Sequence, residues 1–514
     1  MFEECHKCEE GFECKDDYAF LKSGYWWRWR NESFKVRYKY FIRNLLKSLP
    51  ALGEKDVQYA YPIPKPYRCP IEDSCRGGLD SLCKNGYKGP LCSVCSPGYY
   101  KQSQTCKRCP SKTFIAGQLS IIASILLTII VVSVWTSKRK NENDQGEHSL
   151  VDTFLSKIKI AIGFYQVTNG LLEAFAYIKW PDSLQVVSTY SQILQLNILR
   201  MAPVHCLSPE LHVDAFGNLF TIMAINAAVI SFAGIAYGIR KITLSRNRYL
   251  EYDEKLKKIS QGKELVYKNV FFILYVTYLS TCYNTASVLP IACRKLCRDE
   301  KEKLCSKYLK ADYSIQCDDS RYNTLVIVAY LSAVYVLALP LATFIALWRQ
   351  RRVILATAKD DGNEDPGSST EMVTGLRFLF ENYKARSWYW ELVEMSRKVI
   401  VTSGLILVGQ ETRSYIGLAW VIAGMFGVLF AWIRPIEDAF ENRLMTASLA
   451  VTVVNLGIGA VSKIPAENLP ASTASYTDAV IFNILVVGAN SLVIGLLICK
   501  IIQFKYNCQA TAIF

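Results

Sequence analysis

The chain has 514 residues, 51% of them hydrophobic and 20% charged, with a formal net charge of +14. A soluble chain of that length divides into domains with charged surface throughout. Here the apolar residues are gathered into long blocks with the charges between them, which excludes an ordinary soluble architecture. No arginine or lysine stripe interleaves with stacking aromatics, so the basic excess reads as a topology signal and not as a nucleic-acid footprint.

Residues 1–112 are cysteine-rich, with ten of the eighteen cysteines falling in the first 109 residues. Met1 to Cys5 lacks the basic start and apolar core of a signal peptide. Cys5, Cys8 and Cys14 read as the tail of an earlier repeat, so a segment upstream is expected. Cys92-x2-Cys95 and Cys106-x2-Cys109 admit a zinc site built from two thiolate pairs. They also admit disulfides stapling a module with too little core. The turn-rich phrases Gly86 to Cys92 and Ser96 to Tyr100 favour disulfides, with Cys69, Cys75, Cys83, Cys92, Cys95, Cys106 and Cys109 as the set. Asn31-Glu32-Ser33 makes Asn31 a glycosylation candidate. Tyr25-Trp26-Trp27-Arg28-Trp29-Arg30 reads as core of the small module or as a contact for a partner.

Residues 113–135 then run for 23 positions without a charge and end before Lys138-Arg139-Lys140. A helix of that length spans about 30 Å of hydrocarbon, and the basic flank marks its cytoplasmic end. The cysteines before it are therefore expected outside. A second span fits 157–178, and a third, 215–239, carries Gly234 and Gly238 at the spacing of close helix approach. The loop from Arg240 to Lys268 holds nine basic residues, a cytoplasmic mark. A fourth span fits 269–291 and leads to an outer loop, 292–321, whose Cys293, Cys297, Cys305 and Cys317 suit two disulfides. Eight basic residues in that loop oppose the sidedness rule, and the cysteines decide against them. The fifth span, 322–348, contains Pro340. Residues 349–387 form a cytoplasmic linker, and Trp388-Tyr389-Trp390 an aromatic belt at the entry to the sixth span. A seventh span fits 414–433, with Ala423, Gly427 and Ala431 as a close-packing face. An eighth fits 444–462 and a ninth 478–503, leaving 504–514 as a cytoplasmic tail. The fold expected is an all-α polytopic membrane bundle of about nine transmembrane helices behind a small disulfide-rich extracellular module.

The four histidines, His6, His148, His205 and His212, do not pair with a carboxylate inside a span, and no phosphate loop or zinc-protease pattern occurs. An enzyme is not expected, and neither a metal nor another cofactor. What remains is polarity inside the bilayer. Gln166, Asn169 and Glu173, at i, i+3 and i+7, share one side of the second span, and Thr277, Thr281 and Asn284 stripe the fourth. Asn226, Asn455, Asn483 and Asn490 add amides elsewhere. An intramembrane charge such as Glu173 is a functional candidate; the plainer reading is hydrogen bonding between helices. Trp388, Trp390, Glu391, Glu394 and Arg397 stand where the sixth helix enters, as a gate or as an interfacial anchor; Glu394 can pair with Lys398 at i, i+4.

Tyr87 to Cys95 with Pro97-Gly98-Tyr99-Tyr100 resembles the cysteine-rich modules related to EGF and ephrin-receptor repeats. Phe380-Glu381-Asn382-Tyr383-Lys384, Trp388 to Glu391, Arg434-Pro435 and Glu441-Asn442-Arg443 resemble uncharacterised multi-pass membrane proteins of invertebrates and protists. The layout is also similar to TRP-like, polycystin-related proteins, though without a shared motif. The uncharacterised group has no established activity to carry over; the TRP-like layout and the polar stripes together lead to the expectation of a TRP-like cation channel or channel-like sensor of the plasma membrane or an endomembrane. The alternative is a receptor or adhesion protein whose outer module binds a ligand. Partners expected are the lipid bilayer and an extracellular ligand or ions, with oligomerisation open and no nucleic acid.

Overall fold

The computed structural model describes residues 10–15, 18–48, 59, 61–102, 105–121, 124, 150–175, 178, 180–191, 206–207, 214–246, 251–298, 304–357, 376, 379–408, 413–462 and single positions between 484 and 495. The basic flank 138–140, the four histidines, Asn483 and most of the linker and the ninth span lie outside the described residues. The chain divides into two compact units. One comprises Met1–Leu119, Ala202–Phe216 and Ser287–Ala329; the other comprises Ser120–Met201, Gly217–Ala286 and Tyr330–Phe514.

The first unit is a chain of two-stranded antiparallel ribbons. β1 (Phe12–Lys15) pairs with β2 (Tyr18–Leu21), and β3 (Tyr25–Trp26) with β4 (Tyr67–Arg68) across α1 (Glu32–Ser48). β5 (Tyr87–Lys88) then pairs with β6 (Val94–Cys95), and β7 (Tyr99–Gln102) with β8 (Thr105–Arg108). Ribbons of this size are marginal by themselves, and disulfides make up for the small core. The pairs are Cys69–Cys75, Cys83–Cys92, Cys95–Cys106 and Cys109–Cys206. The zinc reading gives way here, because Cys92 and Cys95 take different partners instead of one shared ion. Gly86 is needed where the chain turns: its φ is +93°, and a Cβ there would stand 2.8 Å from the Tyr99 ring.

The loop expected among the helices folds with this unit. β9 (Cys293–Cys297) and β10 (Cys305–Leu309) form a hairpin closed by Cys297–Cys305 and anchored by Cys293–Cys317. Leu296, Tyr308 and Tyr313 pack with Leu91, Trp26, Tyr67 and Val94. The Cys297 amide donates to the Tyr67 hydroxyl at 2.7 Å, and Arg28 donates to Tyr308 at 3.1 Å. In the tryptophan-rich stretch, Trp27 is buried, and the Trp27 and Trp29 indoles both donate to the Leu79 carbonyl, at 3.2 and 3.0 Å. That places them in the core of the module, while Arg28 and Arg30 stay exposed. Asn31 accepts from the Phe34 amide at 3.1 Å, which caps α1.

The second unit is helical: α2 (Leu150–Ala174), α3 (Asp182–Ser191), α4 (Ala215–Arg246), α5 (Tyr252–Val288), α6 (Ser320–Thr357), α7 (Trp390–Val399), a π turn (Ile400–Gly404), α8 (Leu405–Val408), α9 (Arg413–Ile433) and α10 (Ala439–Ser462). Among the described residues, four helices are long and apolar enough to cross a membrane, not nine: Ala215–Arg246, Ser320–Arg352, Tyr415–Ile433 and Ala439–Val461. They correspond to the third, fifth, seventh and eighth predicted spans. The second, fourth and sixth are helical too, but polar residues interrupt their apolar runs. The division has a physical pattern. On α4, α6 and α9 large apolar side chains face outward, with Phe232, Leu337 and Trp432 at 75%, 72% and 83% exposure. Polar side chains inside α2, α5 and α7 are buried instead: Gln166 and Asn169, Thr277, Thr281 and Asn284, and Glu391, Glu394 and Arg397.

Two packing details follow from the sequence. α6 runs straight through Pro340, which has no N–H for the Val336 carbonyl four residues earlier. The Tyr278 hydroxyl donates to that carbonyl at 2.9 Å and replaces the missing bond. Gly459 makes room for Trp180, whose ring would stand 2.5 Å from a Cβ there. By contrast, a Cβ on Gly234 or Gly238 meets nothing within 4 Å, so that stripe brings no described helix close.

Candidate functional site

The helical unit contains a buried group of opposite charges. Glu391 sits in the first turn of α7 and is 2% exposed. Its carboxylate accepts from the hydroxyls of Tyr275, on α5, and Tyr383, the latter at 2.8 Å. The Lys159 ammonium, on α2, closes on it at 2.6 Å and lies over the rings of Tyr275 and Tyr383 at 5.3 and 5.9 Å. One turn further, Glu394 takes the Arg397 guanidinium in a forked pair, Nε at 2.9 Å and Nη2 at 2.5 Å. Lys398 reaches Glu394 at 3.7 Å and donates to the Tyr275 hydroxyl at 3.3 Å. Charges taken out of water persist only when paired and hydrogen-bonded in this manner. Burial, with the Glu391 carboxylate beside it, holds the Tyr383 hydroxyl well above the ordinary phenol range.

A cavity of about 30 Å³ opens among these groups, bordered by Gly163, Glu441 and Thr452 as well. That is room for a water or two. Arg397 Nη1 and the Trp390 indole N–H, both buried, find no partner among the described residues. A second cavity of about 10 Å³ lies further along α2, bordered by Gln166, Gly170, Glu173, Ser280, Tyr283 and Thr402.

One helix face joins the two. Lys159, Gln166 and Glu173 stand at intervals of seven, close to two full turns, so they line up along α2. Gly163 and Gly170 fall between them on the same face. A Cβ on Gly163 would stand 2.6 Å from Lys398 Nζ, and one on Gly170 2.7 Å from Thr402 Cγ2. The glycines let the sixth-span helix lie directly on α2. At that contact the helix widens into the π turn, with Thr402 and Ser403 buried. Such turns recur at functional sites.

The structure separates residues that the spacing alone puts together. Gln166 donates to the Val276 carbonyl at 2.9 Å and shares the second cavity with Glu173. Asn169 lies about 60° off that face at 100° per residue; its side chain accepts from Ser188 on α3. Thr277 donates to Asn226 of α4 at 2.8 Å, and Asn226 donates on to Thr281 at 3.4 Å. Asn284 bonds the Ser280 carbonyl of its own helix at 2.8 Å. Thr277 and Thr281 therefore tie α5 to α4, away from the α2 face. Asn455 and Asn490 are buried. Trp388 stacks near Phe344 at 6.1 Å and Trp390 packs against Phe426 and Phe430, so both rings are buried and only Tyr389 of the three aromatics is exposed. Arg397 adds a contact over Phe426 at 5.1 Å.

Lys159, Tyr275 and Tyr383 were not among the sequence candidates. The repeat of seven from Lys159 to Gln166 to Glu173 carried the signal for the first. The two tyrosines carried none, since aromatic residues at helical spacing are ordinary core. Among the disulfide candidates, all eleven named cysteines are paired, and the twelfth member is Cys206. Among the described residues no group of three or more histidine, cysteine, aspartate or glutamate side chains is arranged to hold a metal ion.

Residues 67–109 match a family described as a domain of unknown function (DUF7630), a stretch that opens two residues before Cys69 and closes on Cys109. The chain is also similar to cysteine repeat modular protein A of Toxoplasma gondii, at 23% identity over 490 residues. That similarity covers 82% of this chain and 15% of the length of the relative. No solved structure matches the chain. Disulfides, apolar helices and this similarity together describe a cysteine-rich surface or membrane protein.

Proposed function

We propose that the chain is a multi-pass membrane protein whose helical unit is a TRP-like, channel-like conductor of cations, with the α2 face as its path. One observation supports this most: Lys159, Gln166 and Glu173 line one helix face, joined to two small cavities and to a π turn in the helix against it. Ionisable residues inside a membrane bundle mark ion and proton routes, and a buried ion pair by itself is weak evidence for stability. The outward faces of α4, α6 and α9 are too apolar for water and fit lipid. In this reading α4, α6, α9 and α10 cross the membrane and the more polar helices pack among them. The amino-terminal module and loop 292–321, which fold together, lie outside, and the carboxyl end is cytoplasmic. The cavities are too small for a continuous aqueous pore, so this conformation is the closed one. No catalytic role is assigned.

A second reading has its own support. The similarity to a protein named for modular cysteine repeats favours a receptor whose outer unit binds a ligand and whose buried charge network relays the event. Purified protein in liposomes separates the two. The channel reading expects cation current under voltage, stretch or calcium, abolished by Glu173→Ala in protein that still inserts. Silence under all three stimuli, with intact insertion, moves the assignment to the receptor.

A further inference from the structure

We propose that the exposed face of α1 binds an anionic polysaccharide, through exposed arginines that form no ion pair among the described residues and through the flat faces of two tyrosines.

α1 is two-sided. Tyr38 and Ile42 are buried in the module core with Tyr18. On the opposite side Arg37, Tyr40 and Arg43 are exposed, and Tyr40 is 64% accessible. At 100° per residue Arg37 and Arg43 flank Tyr40 by about 60° on either side, so the three form one surface. Arg30, just before the helix, adds a fourth exposed group.

The basic residues of this region divide by neighbour. Lys35 and Lys39 are paired with Asp80 at 2.9 and 2.8 Å, and Lys35 also meets Glu32. Arg30, Arg37 and Arg43 form no ion pair among the described residues. Two of them rest on rings instead. Arg30 stands 5.7 Å from the Phe34 centroid, and Arg37 stands 6.0 Å from the same centroid and 5.2 Å from that of Tyr61. The platform is fixed: Phe34 and Tyr61 meet edge to face at 5.6 Å, and the Tyr59 hydroxyl donates to the Phe34 carbonyl at 3.2 Å.

A guanidinium whose neighbour is a ring and not a carboxylate keeps its N–H edge free. That edge matches sulfate or carboxylate oxygens in a fork, and ordering it beforehand reduces the entropy lost on binding. The exposed rings of Tyr40 and Tyr61 suit the C–H face of a sugar. A lipid surface would call for inserted aliphatic or tryptophan side chains, and among the described residues of α1 only Val36 is aliphatic and exposed. An acidic peptide would satisfy the arginines but leave the tyrosine faces uncovered. Charge and flat apolar surface side by side select a charged sugar chain. Disulfides place the module in the oxidising compartment where such chains occur.

The test uses the full-length chain in detergent, at physiological salt, with immobilised heparin, hyaluronate, poly-glutamate and phosphatidylserine vesicles. Retention on heparin or hyaluronate is expected, sulfated or carboxylated sugar being told apart by which column holds it. The triple variant R30A/R37A/R43A should bind at least about tenfold more weakly. Arg37→Lys keeps the charge and the fold but loses the planar fork, and it too should weaken binding several-fold. Tyr40→Ala should weaken sugar binding without changing poly-glutamate retention. Lys107→Ala and Arg108→Ala, on another ribbon, should change nothing. Failure of both sugars to bind, equal binding by the triple variant, or poly-glutamate or vesicles retained as tightly as the sugars would each overturn the proposal.

Discussion

Removing one member of the Lys159–Glu391 pair should be far more damaging than removing both. Glu391 is 2% exposed and Lys159 10%, with 2.6 Å between them, so water screens neither. Lys159→Met leaves a buried carboxylate that keeps its two tyrosine donors but loses the ammonium paired with it at 2.6 Å. Glu391→Gln leaves a buried ammonium and weakens both phenol bonds. Breaking a buried pair from one side costs about 3 to 5 kcal/mol, whereas replacing both partners with apolar groups of similar volume is often near neutral. The orphaned Tyr275 and Tyr383 hydroxyls add about 1 to 3 kcal/mol each wherever the carboxylate is lost altogether. The double variant Lys159→Met/Glu391→Gln should therefore be more stable than the sum of its parts by at least about 2 kcal/mol, a coupling within the range for contacting residues. Equilibrium unfolding in detergent micelles, with all four chains in parallel, measures it. Additive single effects each below about 1 kcal/mol would show that the pair is not buried as described, and the polar face of α2 would lose its anchor.

Gly170→Ala should destabilise by about 1 to 3 kcal/mol, since its methyl meets a stiff β-branched Thr402. Gly163→Ala should cost less, because it meets only the flexible end of Lys398; the reverse order in a thermal-shift comparison would contradict the helix contact. Tyr278→Phe strands the Val336 carbonyl beside Pro340 and should cost about 1 to 3 kcal/mol, whereas Tyr330→Phe, on an outward-facing residue, should leave stability unchanged. Cys206→Ser should expose one new thiol that peptide mapping after maleimide labelling assigns to Cys109; a label at any other cysteine refutes the pairing. The ammonium groups of Lys39 and Lys35 hold the Asp80 carboxyl below its usual range. A depressed carboxylate stabilises above its unfolded pKa and loses that contribution as pH falls through the folded value. The stability gap between wild type and Asp80→Asn should thus be present at neutral pH and shrink at strongly acidic pH. It should stay small throughout, because the Asp80 side chain is 38% exposed. A gap unchanged by acid would mean that the pairing is absent.

The cysteine framework was legible from composition and turn residues, because a small module without a core leaves little alternative. Its pairing was not: Cys109 closes on Cys206, 97 residues away, and no local spacing encodes that. Apolar blocks announced the outward helices α4, α6 and α9, and the largely buried α10, by their uniformity. The helices that carry the polar face were harder to read for the opposite reason. Gln166, Glu173 and Thr402 make α2 and the sixth-span helix look like poor membrane spans, although inward burial is what permits those residues. The spacing rule grouped Asn169 with Gln166 and Glu173, and a 60° offset was enough to turn it to another neighbour. Glu394 and Lys398 were recognisable as an i, i+4 pair, but the tighter fork is with Arg397 at i+3, which only rotamers decide. Lys159 joined the network through tertiary contact, and its spacing of seven from Gln166 was the one trace of it in the sequence.

Sidedness of polarity is the point on which the account stands, and substituted-cysteine labelling in proteoliposomes reads it directly. With an impermeant ammonium-bearing thiol reagent, a cysteine at Gln166, inside on the α2 face, should be modified when the path opens. A cysteine at Phe232, on the outward face of α4, should stay unmodified because lipid covers it. Rapid modification at Phe232 with none at Gln166 would put water where the account puts lipid, and would contradict it.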